Sequence, residues 1–309
     1  MIVIDDIIMK DKESDNYVAL GSFDGLHYGH LSLVRKTIQV AKEKNGKSMV
    51  FTYKNHPKTI VKPDGVPKLI MDLDTKLEYL EEENVDIVVL RTFTKEFMSI
   101  DAEDFIKLLC EDYNVKGIIV GFNFRFGYKN LGDVDLLKDL QSKYGYELYI
   151  MDSYTYKGEI ISSTRVRECI LEGNVSEAAN MLPKPYFIKG KVVYGKQLGR
   201  TIGIPTANLE FDNKMVIPEK GVYYTNVKYN GNIFKGLTSV GYNPTVNGKE
   251  LTIETHILNF NKMIYGEELK VYFVERIRDE LKFDTLDELV KQIRKDEEYI
   301  KNKDIIIYC

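Results

Sequence analysis

Between residues 17 and 151 short apolar runs rich in β-branched and aromatic residues alternate with longer amphipathic segments, and beyond Pro185 that alternation stops. The runs are 17–23, 47–53, 85–90, 115–121 and 146–151, and the segments between them, 31–44, 74–83, 101–113 and 133–144, carry apolar residues at helical spacing. Strands that alternate with helices predict an α/β doubly wound, mostly parallel sheet, with ligands at the carboxyl ends of its strands. From Ser162 the pattern changes. A helix capped by the Ser/Thr cluster at 162–164 ends at Gly173, and a second short helix precedes Pro183-Lys184-Pro185. Only strand-like runs follow, at 186–195, 221–232, 234–244, 251–260 and 268–277, and their density predicts a small antiparallel barrel. Leu286, Leu289, Ile293 and Ile300 recur at helical spacing, so a terminal helix should pack on it. The proline pair sets the expected domains at 1–182 and 183–309.

A chain of 309 residues accommodates two such domains, because single hydrophobic cores stop growing near roughly 250–300 residues. Lys+Arg 43 against Asp+Glu 47 gives a net charge of -4, which supplies no bulk positive field for nucleic acid or anionic lipid. Cys110, Cys169 and Cys309 are too far apart to complete a metal motif and fit a reducing cytosol. The N-terminus lacks the basic flank of a signal peptide, and no apolar stretch approaches about 20 residues, so a soluble cytoplasmic protein is expected.

Gly21-Ser22-Phe23-Asp24-Gly25-Leu26-His27-Tyr28-Gly29-His30 follows the first strand and opens the first long helix. Backbone N–H groups at a helix start attract anions, glycines let the main chain approach a phosphate, and His27 and His30 share one face of the first turn. By residue type alone the pair can cap the helix or form half of a metal site. The chain has only four His and no third ligand nearby, and imidazole donors suit the charge on a transferring nucleotidyl group.

This string resembles the G-x-F-D-G-x-H-x-G-H signature of the nucleotidylyltransferase superfamily. Two further segments, Gly121-Phe122-Asn123-Phe124-Arg125-Phe126-Gly127 and Ile161-Ser162-Ser163-Thr164-Arg165-Val166-Arg167, extend the resemblance to the adenylyltransferase module of bacterial bifunctional riboflavin kinase/FMN adenylyltransferases, or FAD synthetases. It implies a Rossmann-like domain in which Gly21, Phe23, Asp24 and Gly29 bind nucleotide. His27 and His30 would stabilise the transition state at the α-phosphate, Asn123 would border the flavin, and Ser163, Thr164 and Arg167 would grip the β and γ oxygens. On their own the Ser/Thr cluster also reads as a helix cap and Asn123 as a turn residue.

In the second half a Gly-rich loop, residues 195–203, leads into Pro205-Thr206-Ala207-Asn208 without the G-x-x-x-x-G-K-[ST] pattern. The Thr206 hydroxyl and Asn208 carboxamide are hard oxygen ligands that fit Mg²⁺. Glu254, in a strand-like run, is a natural base for a hydroxyl attacking a γ-phosphate, and His256 shares its strand face. With Gly241-Tyr242-Asn243-Pro244-Thr245 and residues 276–283, this set resembles the riboflavin kinase module. The resemblance spans about Tyr17 to Lys301. It implies a six-stranded barrel with a C-terminal helix, Thr206 and Asn208 on Mg²⁺, Gly203 on nucleotide, Glu254 as base, and Arg278 and Phe283 near flavin.

The implied reactions use ATP to turn riboflavin into FMN and then FMN into FAD with release of pyrophosphate. The chain departs from the family at Tyr53-Lys54-Asn55, where Phe-Asp-Pro is common before His56-Pro57. A riboflavin kinase with a silent adenylyltransferase domain is therefore the alternative, and a flavin-binding protein without turnover a second one.

Overall fold

The computed structural model describes residues 1–6, 14–61, 65–195, 199, 202–245 and 248–307, without the side chains of 243–250. Lys196, Gln197, Leu198, Arg200 and Thr201 of the Gly-rich loop, and Cys309, lie outside the described residues. The chain forms two compact units, Met1–Ser162 and Ser163–Cys309.

In the first unit the strands are β1 (Ile2–Asp5), β2 (Asn16–Leu20), β3 (Lys47–Tyr53), β4 (Ile87–Arg91), β5 (Val115–Gly121) and β6 (Glu147–Met151). They form one sheet in the order β1-β4-β3-β2-β5-β6, parallel throughout. Every residue of β2 is buried, which is why strands covered on both faces read as unbroken apolar runs. Crossovers leave β2 on one side toward β3 and β4 and resume on the other at β5 and β6, so the switch point, where α/β sheets bind ligands, lies between β2 and β5.

The helices are α1 (Tyr28–Glu43), α2 (Lys58–Val61), α3 (Leu73–Glu82), α4 (Lys95–Met98), α5 (Ala102–Asp112) and α6 (Val134–Tyr144). Asp72, Asp101 and Asp133 cap α3, α5 and α6 by accepting backbone N–H groups that a helix start leaves unpaired. A small hairpin, β7 (Thr155–Tyr156) and β8 (Glu159–Ile160), closes the unit.

The second unit begins with α7 (Ser163–Leu171) and α8 (Val175–Ala179). Between them Gly173 adopts φ +76° against Arg276, whose Cδ a Cβ would meet at 2.8 Å. α8 packs on the barrel strand β14, so both helices cluster with the barrel and the proline pair at 183–185 falls inside this unit.

Strands β9 (Phe187–Val193), β10 (Ala207–Phe211), β11 (Gly221–Tyr229), β12 (Asn232–Thr245), β13 (Gly248–Ile257) and β14 (Glu268–Arg278) close as an antiparallel barrel in the order β10-β13-β12-β11-β14-β9. The last helix, α9 (Leu286–Lys301), is capped by Thr285, which accepts from Glu288 N, while the Glu288 carboxylate accepts from Asp284 N just before the cap. Its apolar face differs from the expected stripe. Leu286 is exposed, whereas Ile293 and Ile300 pack against Val222, Leu237 and Val274, with Asp296 and Glu297 buried between them.

Candidate active sites

At the end of β2 the chain enters a turn in which Phe23 (φ +50°) and Leu26 (φ +40°) take the left-handed region that bulky residues avoid. Such strain costs about 1–3 kcal/mol per residue and persists where surroundings hold it. Both side chains are buried, Asp24 Oδ1 accepts from Ile70 N at 3.0 Å, and Lys76 Nζ donates to the Ser22 carbonyl at 2.8 Å.

His27 is the N-cap of α1, its Nδ1 accepting from His30 N at 3.3 Å, which leaves Nε2 as the protonated nitrogen of the neutral ring. The two rings stack with centroids 3.7 Å apart, and a Cβ at Gly29 would lie 3.2 Å from the His27 ring. Burial pulls His27 down to about 4. His30 also lies well below its ordinary value, through burial and the neighbouring His27 and Lys76. Both imidazoles are neutral near pH 7, and His30 Nδ1 is buried without a hydrogen-bond partner among the described residues.

The turn opens on a hollow of about 520 Å³ at the switch point. Gly21, Phe23, His30 and Asn123 line it together, with Tyr53, Arg125 and an aromatic wall that includes Phe93, Phe97, Phe124 and Phe126. Asp24, His27 and Gly29 shape the turn itself. Asn123 is exposed, and Arg125 pairs with Asp133 at 2.9 Å.

The departure at 53–55 is held by its own contacts. Lys54 pairs with Asp5 and Asp6 beside β1. The Asn55 carboxamide accepts from Phe93 N at 2.8 Å and donates to Phe93 O at 3.1 Å and Thr59 Oγ1 at 2.9 Å. A further residue that the sequence motifs did not point to is Lys76, only 7% exposed, whose burial brings its pKa down to about 8. The signal was its position: with Leu73, Leu77 and Leu80 it falls on the apolar stripe of α3.

Ser163, Thr164 and Arg167 occupy the first turns of α7, in the second unit. On the barrel, strand pairing sets Asn208 opposite Glu254, and Thr206 Oγ1 donates to Glu254 Oε2 at 3.3 Å. Gly195 backs onto Asn208, since a Cβ would lie 2.3 Å from its Nδ2. Among the described residues no group of three or more His, Cys, Asp or Glu could hold a metal, so a cation here would rest on hydroxyl and carboxamide oxygens. That donor chemistry fits a hard divalent ion that keeps several water or phosphate oxygens.

Thr206 also borders a cavity of about 320 Å³ with Thr255, Phe260 and Tyr265. Gly203 (φ +74°) lies in the preceding loop, closed by Ile204 N donating to Gly199 O at 2.7 Å. Arg278 grips the buried Asp296 through Nε at 2.9 Å and a second guanidinium nitrogen at 2.8 Å, and Phe283 is half-buried.

The chain matches the FAD synthetase family over residues 9–165 and the riboflavin kinase family over residues 182–303. It is 36% identical to the bifunctional riboflavin kinase/FMN adenylyltransferase of Haemophilus influenzae over 286 residues, 92% of each chain. The corresponding protein of Bacillus subtilis is 34% identical over 94% of this chain and 93% of its own. The chain belongs to this bifunctional family. A solved Streptococcus pneumoniae chain described as a macrolide-efflux protein is also similar, with a TM-score of 0.91 and 36% identity over 98% of this chain and 100% of that one. Among the described residues no helix is long and apolar enough to cross a membrane. Both transferase modules of the family are present, which favours a bifunctional ATP-dependent enzyme over a riboflavin kinase alone.

Proposed function

We propose that the barrel transfers the γ-phosphoryl group of Mg²⁺-bound ATP to the 5′-hydroxyl of riboflavin, and that the N-terminal domain transfers AMP from a second ATP to FMN. In the first step Glu254 takes the hydroxyl proton as the oxygen attacks the γ-phosphorus and ADP leaves. Thr206 and Asn208 would hold Mg²⁺, which supplies positive charge to the phosphate oxygens. Gly203 would give backbone room to the nucleotide, and Arg278 and Phe283 would border the flavin.

In the second step an FMN phosphate oxygen attacks the α-phosphorus and pyrophosphate leaves. His27 and His30 aim neutral N–H donors at the α-phosphate, where charge builds, and no proton need move. Gly21, Phe23, Asp24 and Gly29 shape the nucleotide turn, Asn123 meets the flavin, and Ser163, Thr164 and Arg167 present donors to the β and γ oxygens. By this assignment the functional domains are 1–182 and 183–309, with α7 serving the adenylyltransferase, and the enzyme works in the cytoplasm. The observation that carries the reading is the unpartnered, buried His30 Nδ1 on the hollow at the switch point. The test is chromatography of riboflavin, ATP and Mg²⁺ incubated with the protein: FMN and then FAD are expected, and FMN without FAD would reduce the enzyme to a kinase.

A further inference from the structure

His256 follows Glu254 by two residues on β13, so the two side chains leave the same face of the strand. Its two ring nitrogens face two different oxygens, the first through a hydrogen bond and the second at ion-pair distance. Nδ1 lies 2.8 Å from the Pro205 carbonyl oxygen and Nε2 lies 3.1 Å from Glu297 Oε1 on α9. A carbonyl oxygen only accepts, so Nδ1 carries the proton in the first contact. Glu297 is buried at 5% exposure, and its other oxygen, Oε2, accepts from Arg294 at 2.8 Å.

We infer that His256, held by Glu297, is a positioning residue for the kinase site, fixing the turn that presents Thr206 to Glu254. An imidazole is rigid and planar, so a hydrogen bond at Nδ1 together with the close approach of Nε2 to Glu297 limits the distance between the α9 carboxylate and the Pro205 peptide. Thr206 follows that peptide directly, and its hydroxyl reaches Glu254 at 3.3 Å. One short piece of β13 therefore sets both the base and the clamp on the residue opposite it. A histidine that merely tied α9 to the barrel would need Glu297 alone; the second contact, on Pro205, directs the arrangement at the site. The neighbouring Asp296 makes the parallel contact with Arg278 on β14, so α9 braces two separate strands of the barrel with consecutive buried acids.

The inference rests on Thr206 and Glu254 forming the kinase site, and the experiment separates the two ideas. FMN formation is measured on the full chain for His256→Ala, Glu297→Ala, Glu297→Gln, Ile300→Ala and Glu254→Gln, with Tm recorded for each. His256→Ala and Glu297→Ala should lower kcat by about 10- to 100-fold with the KM for riboflavin within about 3-fold, the loss that a displacement near 1 Å causes. In Glu297→Gln the carboxamide can still face Nε2 while Nδ1–H stays on Pro205, so kcat should return to within about 3-fold of the parent. Ile300→Ala loosens the same helix through its apolar face and should lower Tm with kcat within about 3-fold.

A His256→Ala enzyme with parental kcat, or losses of kcat that simply follow Tm across all four α9 and β13 variants, would overturn the inference. An active Glu254→Gln would instead overturn the assignment of the site.

Discussion

Two neutral, stacked imidazoles, backed by a buried lysine, stand at a helix start in the first unit, and one of them, His30, lines the hollow. On the barrel the proposed site is instead a hydroxyl, a carboxamide and a carboxylate carried on or beside paired antiparallel strands. On the proposed reading the first site draws on the positive end of the α1 dipole, because His30 in the first turn of α1 lines the hollow. On the same reading, Thr206, Asn208 and Glu254 would draw positive charge from a cation that arrives with the nucleotide. Phosphate recognition can be built from backbone donors or from metal-binding oxygens, and the proposed assignment places one of each in this chain.

Separable chemistry is the first consequence. Glu254→Gln should reduce riboflavin phosphorylation by about 10²–10⁴-fold, the usual worth of a positioned base, while FAD formation from supplied FMN stays at the parental rate. His30→Ala should do the reverse, cutting FAD formation by about 10²–10³-fold through loss of a fixed donor and sparing FMN formation. Chromatographic rates with riboflavin and with FMN as separate substrates check both; coupled losses would break the contrast. Asn208→Ala should raise the Mg²⁺ concentration needed for half-maximal kinase turnover and leave the Mg²⁺ dependence of adenylylation as it is. Metal titration of the two activities in one sample measures this.

Much of this molecule was legible from its residues, for physical reasons that also explain the gaps. Strands β2 to β5 announce themselves because a parallel sheet buries both faces. β1 does not, since three of its four residues are exposed and pairing with β4 alone makes it a strand. β10 is five residues long, alternates between buried and partly exposed positions, and merges with the Pro-Thr-Ala-Asn motif that precedes it.

The glycine and histidine turn was readable because an anion site needs those residue types. Lys76, Asp296 and Glu297 were not, because a charged residue in an amphipathic helix is normally assigned to solvent. Their spacing held the information: Asp296 and Glu297 fill the apolar stripe between Ile293 and Ile300. Leu286 is the converse case, an apolar residue whose turn overhangs the barrel contact and stays wet.

The dryness of the first site has a signature in acid. Folded His27 titrates at about 4, against an ordinary value of 6.5, because burial disfavours the imidazolium. Between those values the unfolded chain binds a proton that the folded one refuses. The associated stability is therefore complete above about pH 6.5 and is lost as pH falls through 4. The full loss for one such group is about 3 kcal/mol. His27→Asn, which keeps an N-cap, should flatten the fall in Tm between pH 7 and 4.5 by part of this amount, with His30 supplying the remainder. An unchanged slope would mean that the imidazoles are not dry.

The smallest effect is expected at Lys54, where the family commonly carries an acid. Lys54 follows β3, pairs with Asp5 and Asp6, is partly exposed, and lines a small pocket with Ser22, Asp24 and Lys76 rather than the main hollow. Exposed ion pairs contribute little and are screened by salt, so Lys54→Met should shift denaturant unfolding only slightly, and less at high salt. Lys54→Asp brings a third carboxylate to the same corner and should cost more than Lys54→Met at low ionic strength. The FMN adenylylation rate should stay within about 3-fold in Lys54→Met, because the turn that follows is tied down by Asn55 on Phe93 rather than by the lysine. A large loss of adenylylation in Lys54→Met, with riboflavin phosphorylation intact, would place this residue in the nucleotide site and remove the distinction between an edge that only stabilises the sheet and a turn that performs chemistry.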